Sequence, residues 1–268
     1  MTTTVGGEET AASAGRHVLQ ELGWEVTPGE GADGGMTGSA VVYPEMHAPG
    51  TSHLRTSILA AWADVLAGYL AVETVGPRVP VTLELDVHLY RPGPAAGVVH
   101  GAGRVIKSGR SVFVAGVDFF TDEDERFGFA AASFMAAPDK RLTIPSLAGR
   151  SPLAAGPRLS VPFAERAGCE RRGAGVAALA YSDEVLNASN TINGGLIALA
   201  VEEAVLSLSP GASVASLDLR YLQPARVGPA VASAEVRHGL GRVEVRDEGN
   251  ENRLCVAATT RNFDAEPA

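Results

Sequence analysis

Along residues 81–90, apolar and polar side chains alternate without a break. Val81, Leu83, Leu85, Val87 and Leu89 are set against Thr82, Glu84, Asp86, His88 and Tyr90. A period of two predicts a strand with one buried face. Just upstream the period changes: Ile58, Trp62, Val65 and Tyr69 fall at helical spacing, as do Ile197, Val201, Ala204 and Leu208 further on. Both stretches are apolar nearly all round, which predicts helices enclosed by other elements rather than laid on a surface. More strands are predicted over 97–106, 111–121 and 127–136, and over 227–237, 242–247 and 253–263. Pro and Gly mark the turns between them, as in RPGP, KSGR and GLGR. SAVVYPE and VAALAYS read as strands placed before each helix.

These elements occur twice in the same order. LELDVHLYRP (83–92) resembles SLDLRYLQP (216–224), and setting Pro92 on Pro224 also aligns Leu85 with Leu217, Asp86 with Asp218, and Gly109-Arg110 with Gly241-Arg242. TSILAAWADVLAGYL (56–70) resembles GGLIALAVEEAVLSL (194–208), with a longer helix-to-strand loop in the first copy. Each copy is expected to be a strand, a buried helix and a meander of about four strands, an α+β layer arrangement. The expected division is a tail with a short helix at 13–22 (residues 1–34), a first domain (35–137), a linker carrying four prolines (138–160) and a second domain (161–265).

Composition narrows the classes of partner. Apolar residues at 46% and charged residues at 20% suit a soluble chain with a real core. No apolar run approaches the roughly 18 residues expected of a membrane span. The opening MTTTVGGEET carries neither a basic nor an apolar export signal, so a cytoplasmic location is expected. Cys169 and Cys255, the two cysteines, have no metal-ligand spacing, and neither do the six histidines. A net charge of −9 argues against nucleic acid or an anionic membrane as the main partner. Neither metal nor cofactor is expected.

The sharpest local signal is NASNTINGGLIALAVEEA (187–204). Paired glycines at a helix start let a ligand approach the backbone, and the unpaired N–H groups there can hold an oxyanion. They also permit a tight strand-to-helix turn, and a GG pair alone favours that plainer role. The pattern resembles the hotdog thioesterases of the phenylacetate-pathway and 4-hydroxybenzoyl-CoA type. Their helix begins His-Gly-Gly and carries Asp or Glu eight residues after the first Gly. Members with Asp usually add an Asn six residues before the His and a Ser or Thr at the start of the next strand. The resemblance covers both copies and implies a tandem double hotdog, each half an antiparallel sheet wrapped around a central helix.

In the second copy those positions hold Asn187, Asn193 (in place of the His), Gly194, Gly195 and Glu202, with Val214 at the hydroxyl position. In the first they hold Pro49, Arg55, Thr56, Ser57 and Asp64, with Thr82 at the hydroxyl position. Neither copy is complete. Eight residues of helix span about 12 Å at roughly 1.5 Å per residue, so Gly194 and Glu202 cannot serve one carbonyl. The acid must come from the other copy. Pairing across copies joins Asn187, Asn193 and Gly194 to Asp64 and Thr82, which is taken as the live site. It leaves Glu202 with Pro49, Arg55, Thr56 and Val214 as a degenerate one.

The resemblance then implies an acyl-CoA or acyl-carrier-protein thioesterase. Gly194 N–H would polarise the thioester carbonyl, with Gly195 beside it, and Asn187 would hold substrate or water. Asp64 would be general base or nucleophile, and Thr82 would orient water. Asp64 in a run apolar on every side is unlike an ordinary surface carboxylate, whereas Thr82 could equally be a plain strand residue. Lys107 and Arg110 in one hairpin, and Arg237 and Arg242 in the other, could meet CoA phosphates, although a solvated turn is the plainer reading. Trp62 reads as core, and His47 and His53 as solvated loop residues. Two other functions compete: a non-catalytic acyl-thioester-binding protein, and a hydratase or dehydratase, which the absence of an Asp-x4-His pattern disfavours. Such a pseudo-dimer could assemble further into homo-oligomers.

Overall fold

The computed structural model describes residues 17–29, 35–144 and 157–263. The first half runs α1 (Val18–Glu21), β1 (Glu25–Pro28), β2 (Met36–Val42), α2 (Thr56–Val75), β3 (Pro80–Leu89), β4 (Gly97–Ser108), β5 (Phe113–Phe120) and β6 (Arg126–Ala136). The second runs α3 (Phe163–Arg166), β7 (Cys169–Gly173), β8 (Val176–Leu179), α4 (Gly194–Leu208), β9 (Val214–Tyr221), β10 (Ala230–Arg237), β11 (Leu240–Asp247) and β12 (Arg253–Asn262). All twelve strands join one antiparallel sheet in the order β1-β2-β4-β5-β6-β3-β9-β12-β11-β10-β8-β7. Read inward from either edge, the two halves share one order, and they meet where β3 pairs with β9.

The helices lie on the inner face. On α2, Ile58, Leu59, Trp62, Leu66 and Leu70 are buried, and on α4 nearly every residue from Gly195 to Leu206 is. By length and hydropathy alone α2 could cross a membrane, contrary to the reading of the sequence, but most of it is buried inside the sheet. The two helices touch each other closely. A Cβ added to Gly195 would stand 2.8 Å from the Ala61 Cα, so glycine is what allows this crossing.

Three details differ from the sequence-based expectation. The four-strand meander is a three-strand one, since β3 pairs with β6 rather than β4. Residues 1–16 lie outside the described residues; the described part of the expected helix at 13–22 is a single turn, and residues 17–29 pack against the core. There Trp24 stacks on Trp62 with ring centroids 4.8 Å apart, over Gly38 and Gly101, where added Cβ atoms would collide with its ring. Of the expected linker, residues 145–156 lie outside the described residues, while Leu159 is buried and its N–H donates to the Tyr43 hydroxyl.

The third difference positions the candidate site. Strict alternation from the buried Leu85, Val87 and Leu89 would put Thr82 on the outer face beside Glu84 and Asp86. The β3–β6 register slips between Thr82 and Glu84, so Thr82 lies opposite Phe134, a buried residue of the inner face. A β-bulge of this kind re-aims side chains. The same slip recurs in β9, where Val214 pairs with Asn262 and Ser216 with Arg261.

Candidate active site between the two central helices

Helix α4 starts where Asn193 leaves extended backbone and its Oδ1 accepts the Leu196 N–H at 3.2 Å. Asn193 is thus an N-cap, which satisfies one of the open donors of the first turn. The Gly194 N–H, at the first helical position, has no intrahelical acceptor. The Gly195 amide, from the start of α4, favours the ionised form of Asp64 on α2. Thr82, turned inward by the bulge, donates its hydroxyl to Asp64 Oδ1 at 3.0 Å.

Asp64 therefore gathers a helix-start amide from one half and a hydroxyl from the other. Burial pushes its pKa up to about 6, although the Thr82 and Gly195 hydrogen bonds pull it down. A carboxylate in that range can accept a proton near neutral pH and give it back.

The pseudo-equivalent site is filled. Glu202, fully buried on α4, accepts the Thr56 N–H at 2.9 Å, the Ser57 N–H at 3.3 Å and the Ser57 hydroxyl at 2.6 Å. Arg55 Nη1 lies 3.1 Å from Glu202 Oε2, and its Nη2 lies 2.6 Å from Glu203. Burial opposes the Arg55 charge, but the two carboxylates outweigh it and hold its pKa above the usual value. The Thr56 hydroxyl donates to the Val214 carbonyl at 2.6 Å. Thus Glu202 meets helix-start amides as Asp64 does, and a buried guanidinium closes the site.

Not every residue singled out in the sequence reaches Asp64. Asn187 Oδ1 accepts from the Ser189 N–H, the Thr191 N–H and the Thr191 hydroxyl, so it ties its own loop. Asn193 caps its helix. Lys107 and Arg110 are exposed, and Arg110 lines a groove of about 320 Å³ with Thr74 and Arg78, beyond the far end of α2 from its N-terminus. His53 is not simply solvated: its Nδ1 lies 2.9 Å from Ser213 Oγ. Trp62 is core. Among the described residues no cluster of three His, Cys, Asp or Glu could hold a metal ion.

One site residue went unnoticed in the sequence. Tyr221, at the end of β9, donates its hydroxyl to the Gly194 carbonyl at 2.7 Å. Its signal lay in the alternation of Leu217, Leu219 and Tyr221, which aims a phenol inward.

Residues 53–127 match the family model described as the thioesterase superfamily. No curated protein matches the sequence. Among solved structures, the chain is similar to a tesB protein of Mycobacterium avium subsp. paratuberculosis (TM-score 0.60, 16% identity, 92% of this chain and 97% of that one). It is also similar to an acyl-ACP thioesterase of Bacteroides thetaiotaomicron (TM-score 0.59, 14% identity, 85% and 98%). A third similar structure is a 12:0-ACP thioesterase of Umbellularia californica (TM-score 0.59, 12% identity, 85% and 97%). At these identities the likeness is one of fold. Residues 53–127 thus match the thioesterase superfamily, and the chain's antiparallel sheet around a central helix is the hotdog fold.

Proposed function

We propose that the chain is a tandem double hotdog that hydrolyses acyl-CoA or acyl-carrier-protein thioesters at the single site formed by Asp64 and Thr82 with Gly194 and Gly195. The observation that carries this reading is the Asp64 carboxylate, held between a helix-start amide and a hydroxyl contributed by different halves. In the proposed reaction the thioester carbonyl sits at the start of α4, with its oxygen on the Gly194 N–H. Water attacks the carbonyl carbon while Asp64 takes its proton and Thr82 orients it. The tetrahedral oxyanion is stabilised by the amide and the positive end of the helix. Its collapse breaks the C–S bond, and the proton on Asp64 passes to the leaving sulfur, giving a carboxylic acid and a free thiol. Lys107 and Arg110 are candidates for phosphate contacts at the far end of the substrate.

A binding-only reading draws on Asn187 and Asn193, whose side-chain oxygens are engaged in their own loop and helix cap. A placed carboxylate with a raised pKa favours catalysis, since binding alone needs no base. The hydratase reading lacks a histidine beside Asp64, whose partners are Thr82 and Gly195. The test is thiol release from a panel of acyl-CoA and acyl-carrier-protein thioesters, from acetyl to long-chain and aryl, with and without EDTA. Hydrolysis of at least one substrate, undiminished by EDTA, is expected. Binding without thiol release across the whole panel would overturn the enzyme reading.

A further inference from the structure

We infer that Tyr221 is a positioning residue that sets the Gly195 amide against the Asp64 carboxylate, an assignment that builds on the site proposed above. The Tyr221 hydroxyl donates to the Gly194 carbonyl oxygen over 2.7 Å. That oxygen and the Gly195 N–H are the two ends of one planar peptide unit. The unit is therefore fixed at its oxygen by a phenol from β9, and its N–H is the backbone group that favours the charged form of Asp64 on α2. A donor on an amide oxygen polarises the amide and strengthens its N–H, by about 10–30% per linked bond. Tyr221 thus fixes the tilt of the amide that faces the base and raises its strength as a donor.

The surroundings agree with this role. The β3–β9 ladder pairs Glu84 with Arg220, so Tyr221 comes next, opposite the bulged stretch that turns Thr82 toward Asp64. A Cβ on Gly194 would stand 3.3 Å from the Tyr221 ring and hydroxyl, so the glycine leaves room for the phenol. Burial, then the Asp64 and Asp86 charges, raises the Tyr221 pKa well above 10, which keeps it a protonated donor. The repeat aligns Tyr221 with Leu89, which has no hydroxyl to give. In that half the Thr56 and Ser57 amides both bind Glu202. The phenol stands at the Asp64 site and has no counterpart at the Glu202 site.

A residue that merely filled the core would be replaced without consequence by phenylalanine. The test is Tyr221→Phe in the full chain, followed by ¹H–¹⁵N NMR of the Gly195 amide from pH 4.5 to 8. In the unaltered protein this amide should titrate with Asp64 near pH 6. In Tyr221→Phe the amide proton should move upfield and the midpoint should rise by about 0.3 pH units. On a hydrolysed thioester, kcat should fall several-fold while KM stays within twofold. If folded Tyr221→Phe keeps the Gly195 shift and the midpoint, the inference is overturned. The NMR result needs no turnover, so an inactive unaltered protein would overturn the thioesterase reading, while the Tyr221 coupling would still be decided by the titration.

Discussion

Asp64 Oδ1 accepts the Thr82 hydroxyl at 3.0 Å, and this contact joins the middle of a buried helix to a bulge at the start of the next strand. Burial raises the Asp64 pKa from 3.8 to about 6, and this bond offsets part of that rise. A carboxylate acting as base or nucleophile must be ionised, so kcat/KM should rise with pH and reach half its plateau near pH 6. Thr82→Ala removes a donor that favours the charged form. Its half-plateau should therefore move to higher pH and its plateau should fall several-fold, whereas Thr82→Ser should restore both. A pH–rate profile of the three proteins checks this.

Asp64 should also lower stability at neutral pH. Its folded pKa lies above the unfolded value of 3.8, so between about pH 4 and pH 6 the folded state holds a proton that the unfolded state has lost. Stability from this group is fully present below pH 4 and is lost as pH rises through 6. Asp64→Asn removes the penalty and should raise stability at pH 7.5 by on the order of 2 kcal/mol, with little change at pH 4. Thermal melts at the two pH values are the measurement.

Gly195→Ala and Gly194→Ala should part company. Helix propensity alone would favour alanine by up to about 1 kcal/mol. At Gly195 the added methyl meets the Ala61 backbone at 2.8 Å, which cannot move cheaply, and overpacking of this kind costs about 1–3 kcal/mol. At Gly194 the nearest atoms are the Tyr221 ring and hydroxyl at 3.3 Å, which need to give only a few tenths of an ångström. Gly195→Ala should lower the melting temperature by several degrees, and Gly194→Ala should leave it nearly unchanged while reducing activity.

Glu202 is expected to matter to folding rather than to turnover. Glu202→Gln leaves Arg55, 2% exposed, with Glu203 as its remaining acid and weakens the clamp on Thr56 and Ser57. Breaking a buried pair on one side costs about 3–5 kcal/mol. Chemical denaturation should show a loss of that order.

Much of this architecture was legible in the sequence because two periods, 3.6 and two, are written strongly in it. The enclosed helices showed in runs such as ILAAWADVLAGYL, and the internal repeat showed in the Pro92 and Pro224 strands. The resemblance supplied Asp64, Thr82 and the helix start, and helix length set Asp64 rather than Glu202 against that start. The alternation of side chains alone would have turned Thr82 outward, because a bulge is a backbone decision that leaves the alternation intact. The structure also drew Asn187 into its own loop. Such choices depend on which local acceptor lies nearest, and spacing along a chain does not encode that. Trp24 escaped notice for a related reason: its place is made by Gly38 and Gly101, on strands distant in sequence.

The account rests on one live site built around Asp64, with its counterpart around Glu202 serving structure. The most direct measurement is kcat/KM of Asp64→Asn and Glu202→Gln side by side, on the best thioester of the panel, at a temperature where both remain folded. Asp64→Asn should lose about 100-fold or more, the usual scale for a positioned base. Glu202→Gln should stay within about threefold of the unaltered protein, since its carboxylate is committed to Arg55, Thr56 and Ser57. An active Asp64→Asn beside a dead but folded Glu202→Gln would contradict the account and move the chemistry to the other half.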